Sequence, residues 1–349
     1  MPGFPAALTN LYRTRCRKYR SDDRRSGWKE RHVSADALVP PPSAAAGETE
    51  PAAESETELE VTTTAGTRFG LRVLPQADES APVILLLPAM GVRTKYYTPF
   101  AEALRSLGYS VVTTDLRWHH HGAAALRRSA GSRGSYQEGV EDDLPTITAA
   151  TRERFPGAPL FVVGHSLGGQ LSILRAAREA PDSGGLSGLA VIGAGTSYWR
   201  VFRPLRSAWV LGGSTFVAGV SQLLGYWPGH RFGFGGRQPR ALMLDWARSA
   251  RTGRYRLARS EPDLLGLLGA VTLPVLAISL DADHLAPRRA VDYFTRRLTG
   301  SEVHRVHLDR TSGSTHLGHF DWMKEPAVIA RHVAEWIDLV LGRSGTGAR

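Results

Sequence analysis

Apolar and polar positions change rhythm along the chain, and the changes mark out elements. Leu59 to Thr64 and Arg68 to Leu74 alternate around Ala65-Gly66-Thr67, which predicts a β-hairpin. Pro82-Val83-Ile84-Leu85-Leu86-Leu87 is apolar without interruption, the signature of a strand covered on both faces in a parallel sheet, and a helical pattern from about Tyr97 to Leu107 follows. A strand at Tyr109 to Thr114, a helix near Tyr136 to Phe155 and an apolar run at Pro159 to Val163 continue the series. Leu186 to Ile192 and Leu273 to Leu280 are further strands, Val303 to Leu308 alternates like a strand nearer the sheet edge, and a last helix runs from about Pro326 to Leu341. Strands interleaved with helices predict an α/β fold with a mostly parallel, doubly wound sheet and an antiparallel hairpin at its start.

Two stretches break this rhythm. Residues 1–58 carry a basic block (Arg13 to Arg25), then Pro40-Pro41-Pro42 and an Ala/Glu-rich run; with few apolar side chains to offset chain entropy, this segment is expected to be a disordered tail. A C-terminal tail is expected at 343–349. Between them lies one domain, 59–342, in which residues 197–268 lose the alternation and collect Trp199, Trp209, Tyr226, Trp227 and Trp246. An insertion at that point of such a sheet lies over the C-terminal strand ends, where it would act as a lid while packing a small core of its own.

The most informative motif is Gly164-His165-Ser166-Leu167-Gly168, set between the apolar run and the helical pattern from Gly169 to Arg175. A nucleophile on so tight a strand-to-helix turn needs neighbours without a Cβ on either side, and the helix that follows aims amides and its positive dipole end at the same point. A serine hydroxyl also needs a base and a carboxylate to orient that base. Asp281 and Asp283 follow the buried strand ending at Leu280, and His316 and His319 lie in the loop between the last strand and the last helix. All four therefore fall near the edge that carries Ser166.

Here the chain resembles the α/β-hydrolase superfamily, over roughly Leu59 to Gly342. Pro88-Ala89-Met90-Gly91-Val92-Arg93 with Tyr96-Tyr97, and Gly318-His319-Phe320, resemble a bacterial subgroup of predicted serine hydrolases. The resemblance implies Ser166 as nucleophile, Asp283 as acid in an Asp-x-x-x-Pro turn and His319 as base, with Asp281 and His316 as alternatives. It implies an oxyanion hole from the amides of Leu167 and Met90, with Ala89 as the alternative to Met90; Pro88 has no amide hydrogen to give. The activity implied is hydrolysis of an ester or thioester of a small or apolar acyl group through an acyl-serine, without cofactor or metal. An acyltransferase or perhydrolase using the same triad, and a non-catalytic hydrolase-like binding scaffold, are the alternatives.

Composition narrows the remaining classes. Net charge is +10 and almost wholly arginine, with lysine only at 18, 29, 95 and 324. The arginines of the body are dispersed without a nucleic-acid motif, so no nucleic-acid partner is expected, and the substrate is expected to be a small molecule. His119-His120-His121 are consecutive and cannot all face one way, so they read as a loop beside the pocket, and Arg93 and Lys95 read as surface charges. Cys16 is the single cysteine, which rules out an intrachain disulfide. No unbroken apolar run approaches the ~18 residues of a membrane span, so no stable membrane insertion is expected. With no secretory signal pattern in the first thirty residues, a cytoplasmic location is expected.

Overall fold

The computed structural model describes residues 56–119, 122–128, 134–180, 183–257 and 263–342. Residues 1–55 of the tail expected at 1–58, the tail expected at 343–349, Cys16, and His120 and His121 lie outside the described residues. An eight-stranded sheet runs, from edge to edge, Thr57–Thr62, Arg68–Leu74, Ser110–Thr114, Val83–Leu87, Leu160–His165, Gly188–Ile192, Val275–Leu280 and Val303–Leu308. β1 (Thr57–Thr62) and β2 (Arg68–Leu74) form the antiparallel hairpin, and β2 also meets β4 (Ser110–Thr114) antiparallel. All remaining pairs are parallel: β3 (Val83–Leu87) with β4 and β5 (Leu160–His165), then β6 (Gly188–Ile192), β9 (Val275–Leu280) and β10 (Val303–Leu308). The chain thus has the mostly parallel α/β architecture expected, with the hairpin at one edge. One boundary moves: β1 starts at Thr57, so Thr57 and Glu58 belong to the sheet and not to the tail.

The unbroken apolar strands are explained by burial on both faces. Ile84, Leu86, Phe161 and Val163 point into one core, closed by helix α1 (Thr98–Ser106) and the final helix, Pro326–Val340. Val83, Leu85, Leu87 and Val162 point into the other, beneath the helix after Ser166 and the insertion. The period of two divides each strand between the two cores. β10 is half-covered, with His304 and Arg305 exposed, as an edge strand should be.

The long helix read at Tyr136 to Phe155 is present in three parts: one turn at Tyr136–Glu138, a π-helical turn at Gly139–Asp143, and α2 at Leu144–Arg154. Helix α3 (Leu167–Glu179) springs from β5 through Ser166 alone. The insertion consists of α4 (Pro204–Leu224), a two-stranded ribbon of β7 (Tyr226–Pro228) and β8 (Arg237–Pro239), and α5 (Arg240–Thr252). α6 (Arg288–Thr295) follows β9, and the final helix is α7.

α4 holds no unbroken apolar run of membrane-spanning length, yet its average is apolar. At 21 residues and mean hydropathy 1.2 it is long and apolar enough to cross a membrane by length and composition. Counting unbroken apolar residues misses it because Arg206, serines, a threonine and Gln222 punctuate a segment whose average is nonetheless apolar.

Candidate active site

The strand-turn-helix at residue 166 has the geometry its glycines call for. Ser166 sits at φ 52°, ψ −113°, and it is the only described non-glycine residue with positive φ. A Cβ on Gly164 would lie 2.4 Å from the backbone nitrogen of Gly169, and one on Gly168 2.6 Å from the Leu87 carbonyl oxygen. Both positions are therefore closed to any side chain. Leu167 opens α3, where the first amides of a helix have no intrahelical acceptor and the dipole is positive.

Asp283 and His319 meet. The Nδ1 of His319 is 2.7 Å from Oδ2 of Asp283, in a pair that is almost wholly buried. The other carboxylate oxygen accepts from the amides of Leu285 and Ala286, each at 2.8 Å, so the turn after β9 fixes the carboxylate independently of the imidazole. With its Nδ1 hydrogen given to Asp283, a neutral His319 has its lone pair on Nε2. Its ring packs 4.8 Å, centroid to centroid, from that of His165, the residue preceding Ser166. Gly193, at the end of β6, lets the pair sit close: a Cβ there would be 3.0 Å from Asp283 Oδ2 and 3.3 Å from His319 Nδ1.

The alternative residues lie elsewhere. Asp281 is an exposed side chain whose nearest ionic neighbour is His307 at 3.9 Å. His316 turns to Glu325, 3.6 Å from it. Arg93 and Lys95 are exposed. His119 bonds instead near Asp115, at 3.4 Å, and Thr94 donates to the same carboxylate oxygen from its amide at 2.6 Å and its hydroxyl at 3.0 Å. Burial alone would raise the Asp115 carboxyl, but the bonds from His119 and Thr94 overcome it and hold it down at about 2. That charge anchors the start of the turn after the Pro88-to-Arg93 loop to the end of β4.

Two tyrosines that the sequence offered only as part of a family likeness turn out to join the parts of the site. The Tyr97 hydroxyl, fully buried, accepts from the Ala89 amide at 2.9 Å and lies 2.7 Å from Nδ1 of His165. Its neighbour Tyr96 donates to the Phe320 carbonyl at 2.7 Å, next to His319. Burial, and then the adjacent His319 ring, push the His165 imidazole well below its ordinary range, so it is neutral and accepts the tyrosine proton at Nδ1. No spacing rule would have singled out Tyr97; only the fold brings its hydroxyl to both loops.

The insertion closes on this edge at two points. Gly91 (φ 73°) packs against Gly235 so closely that a Cβ would stand 2.3 Å from the Gly235 carbonyl oxygen. Arg206, in the first turn of α4, donates to the carbonyl of His284, beside Asp283.

The sheet order, the crossovers and the turn at Ser166 are those of the α/β-hydrolase fold. The family model described as "Serine aminopeptidase, S33" matches residues 78–224, which hold the turn at Ser166 and the loop from Pro88 to Arg93. No curated protein matches. Among solved structures the chain is similar to a highly thermostable carboxyl esterase from Bacillus coagulans, at TM-score 0.52 and 16% identity over 82% of this chain and 99% of that one. It is also similar to an esterase from Pyrococcus furiosus (TM-score 0.53, 15% identity, 82% and 92% covered) and to one from Exiguobacterium antarcticum (0.52, 12%, 81% and 100%).

Proposed function

We propose that the chain is a serine hydrolase that cleaves an ester or thioester of a small or apolar acyl group. The Oγ of Ser166 attacks the carbonyl carbon while Nε2 of His319 takes the hydroxyl proton, and Asp283 stabilises the imidazolium that forms. The amides of Leu167 and Met90 receive the developing oxyanion; Met90 is favoured over Ala89 because the Ala89 amide is already bonded to Tyr97. The carbonyl then reforms, the alcohol or thiol leaves with the proton from His319, and water, deprotonated by the same nitrogen, releases the acid from the acyl-serine. The observation that carries this reading is the 2.7 Å contact of Asp283 with His319, whose ring lies against the residue preceding a serine held at positive φ.

An acyl ester fits the surroundings better than the free amino terminus an aminopeptidase must hold. Recognition of an ammonium group calls for carboxylates, and from Ser183 to Leu244, through β6 and most of the insertion, the chain has none. The esterases among the fold neighbours agree with the same choice. The test is labelling by a fluorophosphonate with peptide mapping, followed by a panel of esters of rising acyl length on the wild type and Ser166→Ala. Label on Ser166 and turnover lost in the variant are expected; undiminished turnover by Ser166→Ala overturns the assignment.

A further inference from the structure

Helix α4 is built inside out. Its buried positions include Ser207, Ser214 and Ser221, seven residues apart, together with Val217 and Ala218. Its solvent side carries Leu205, Ala208, Trp209, Gly212, Phe216 and Leu223, spaced to fall on one face. Leu205 is 84% exposed, Trp209 52% and Leu223 86%. A surface helix of a water-facing domain ordinarily shows the reverse arrangement. Here no charged side chain lies among the exposed residues of the helix from Pro204 to Leu224.

The charges stand at the two ends, and most are positive. Arg200 and Arg203 are exposed at the start of the helix, and the exposed Arg127 lies against its end, where a Cβ on Gly225 would be 3.6 Å from Arg127 Cγ. Arg200 also lines a cavity of about 430 Å³ shared with Arg289, Arg296 and Arg305, in which the one carboxylate, Asp292, is 3.9 Å from Arg305 and 3.7 Å from Arg288. From Ser183 to Leu244 the chain has six arginines and no carboxylate.

We infer that the outer face of α4 docks onto an anionic lipid bilayer, with its leucines and Trp209 in the acyl boundary and the flanking arginines on the headgroups. An interfacial helix of this kind lies in the plane of the membrane and gains from both apolar burial and attraction to anionic lipid. A transmembrane placement is inconsistent with the other side of the helix, which packs on α5 and holds Arg206 against the His284 carbonyl. A second copy of the chain fits less well: Leu205 to Leu223 spans about 27 Å, and a helix about 11 Å wide offers roughly 300 Å² of face, against the ~800 Å² per partner of a stable dimer. The inference does not depend on the hydrolase reading, because membrane contact and turnover are separate measurements.

The test is flotation of the full chain with vesicles of equimolar phosphatidylglycerol and phosphatidylcholine, and with phosphatidylcholine alone. The wild type and Ser166→Ala are expected to float with the anionic vesicles and not with the neutral ones, and binding is expected to weaken with salt. The double variant Leu205→Glu/Leu223→Glu is expected to lose at least tenfold in bound fraction. Both leucines are exposed, so its melting temperature should match the wild type, and its turnover of a water-soluble short-chain ester should equal that of the wild type. Absence of wild-type flotation, equal binding to neutral vesicles, or equal binding by the double variant overturns the inference. So does a wild-type dimer in solution that the double variant dissociates.

Discussion

The hydroxyl of Tyr97 stands 2.7 Å from Nδ1 of His165, and through it the loop that precedes the Met90 amide is tied to the strand end that carries Ser166. Both candidate oxyanion donors thus depend on one buried phenol for their relative position. His165 can serve as its acceptor because burial keeps the ring neutral.

Tyr97→Phe should therefore act on the site without touching substrate. It leaves the Ala89 amide and the His165 nitrogen without their partner, at a cost of about 1–3 kcal/mol in stability. If Tyr97 positions the oxyanion hole, kcat should fall roughly tenfold to a hundredfold with KM little changed, since small misplacement acts mainly on the transition state. Steady-state kinetics at a temperature well below the variant's melting point separates the outcomes. A variant that only melts earlier, with kcat intact, assigns Tyr97 to the core alone.

The acid can be assigned by a pair of isosteric changes. Asp283→Asn keeps the shape but removes the carboxylate that holds the His319 tautomer, and kcat should fall about 10⁴-fold. Asp281→Asn, on an exposed side chain 3.9 Å from His307, should leave kcat near wild type. Equal losses in the two variants would remove the distinction drawn between them.

How far the sequence could be read depended on whether a residue's role is local. Leu85 and Val162 announce buried strands because neither face of the sheet tolerates a polar residue, and Gly164 and Gly168 announce the turn because contacts within a few residues and with Leu87 exclude a Cβ. Asp283 and His319 were legible as strand-end and loop residues, since topology brings strand ends to one edge. Tyr97 was not, because its hydroxyl bridges residues 8 and 68 positions away. Nor was the orientation of α4. Leucine, tryptophan and phenylalanine on a helix predict an apolar face but not which side of the molecule it meets, and only its packing on α5 reveals that the serines are inside.

Strain at Ser166 can be measured without catalysis. Ser166→Ala and Ser166→Gly both lack the hydroxyl; alanine keeps the Cβ that is disfavoured at φ 52°, while glycine's greater freedom in the unfolded chain offsets about 0.4–1 kcal/mol of the strain it relieves. The glycine variant should be the more stable by about 1–2 kcal/mol in denaturant unfolding, in the range for a residue held in a sparsely populated region. An alanine variant more stable than the glycine variant by about 0.4–1 kcal/mol would mean that the turn holds its serine without strain.

Stability should also fall with rising pH through Asp245, a carboxylate in α5 that the proposed reaction does not use. Burial pushes its carboxyl up to about 6 from 3.8, against the opposing pull of Arg248 and the Tyr136 amide. The folded form then holds the proton more tightly than the unfolded chain does, so this contribution is complete below about 4 and is lost as pH climbs through about 6. The difference is worth about 3 kcal/mol. Asp245→Asn is neutral throughout, so its melting temperature should gain on that of the wild type by several degrees between pH 4 and pH 7, and level off above. Melting curves that stay parallel across this range would show that Arg248, 3.0 Å away, compensates the buried charge in full.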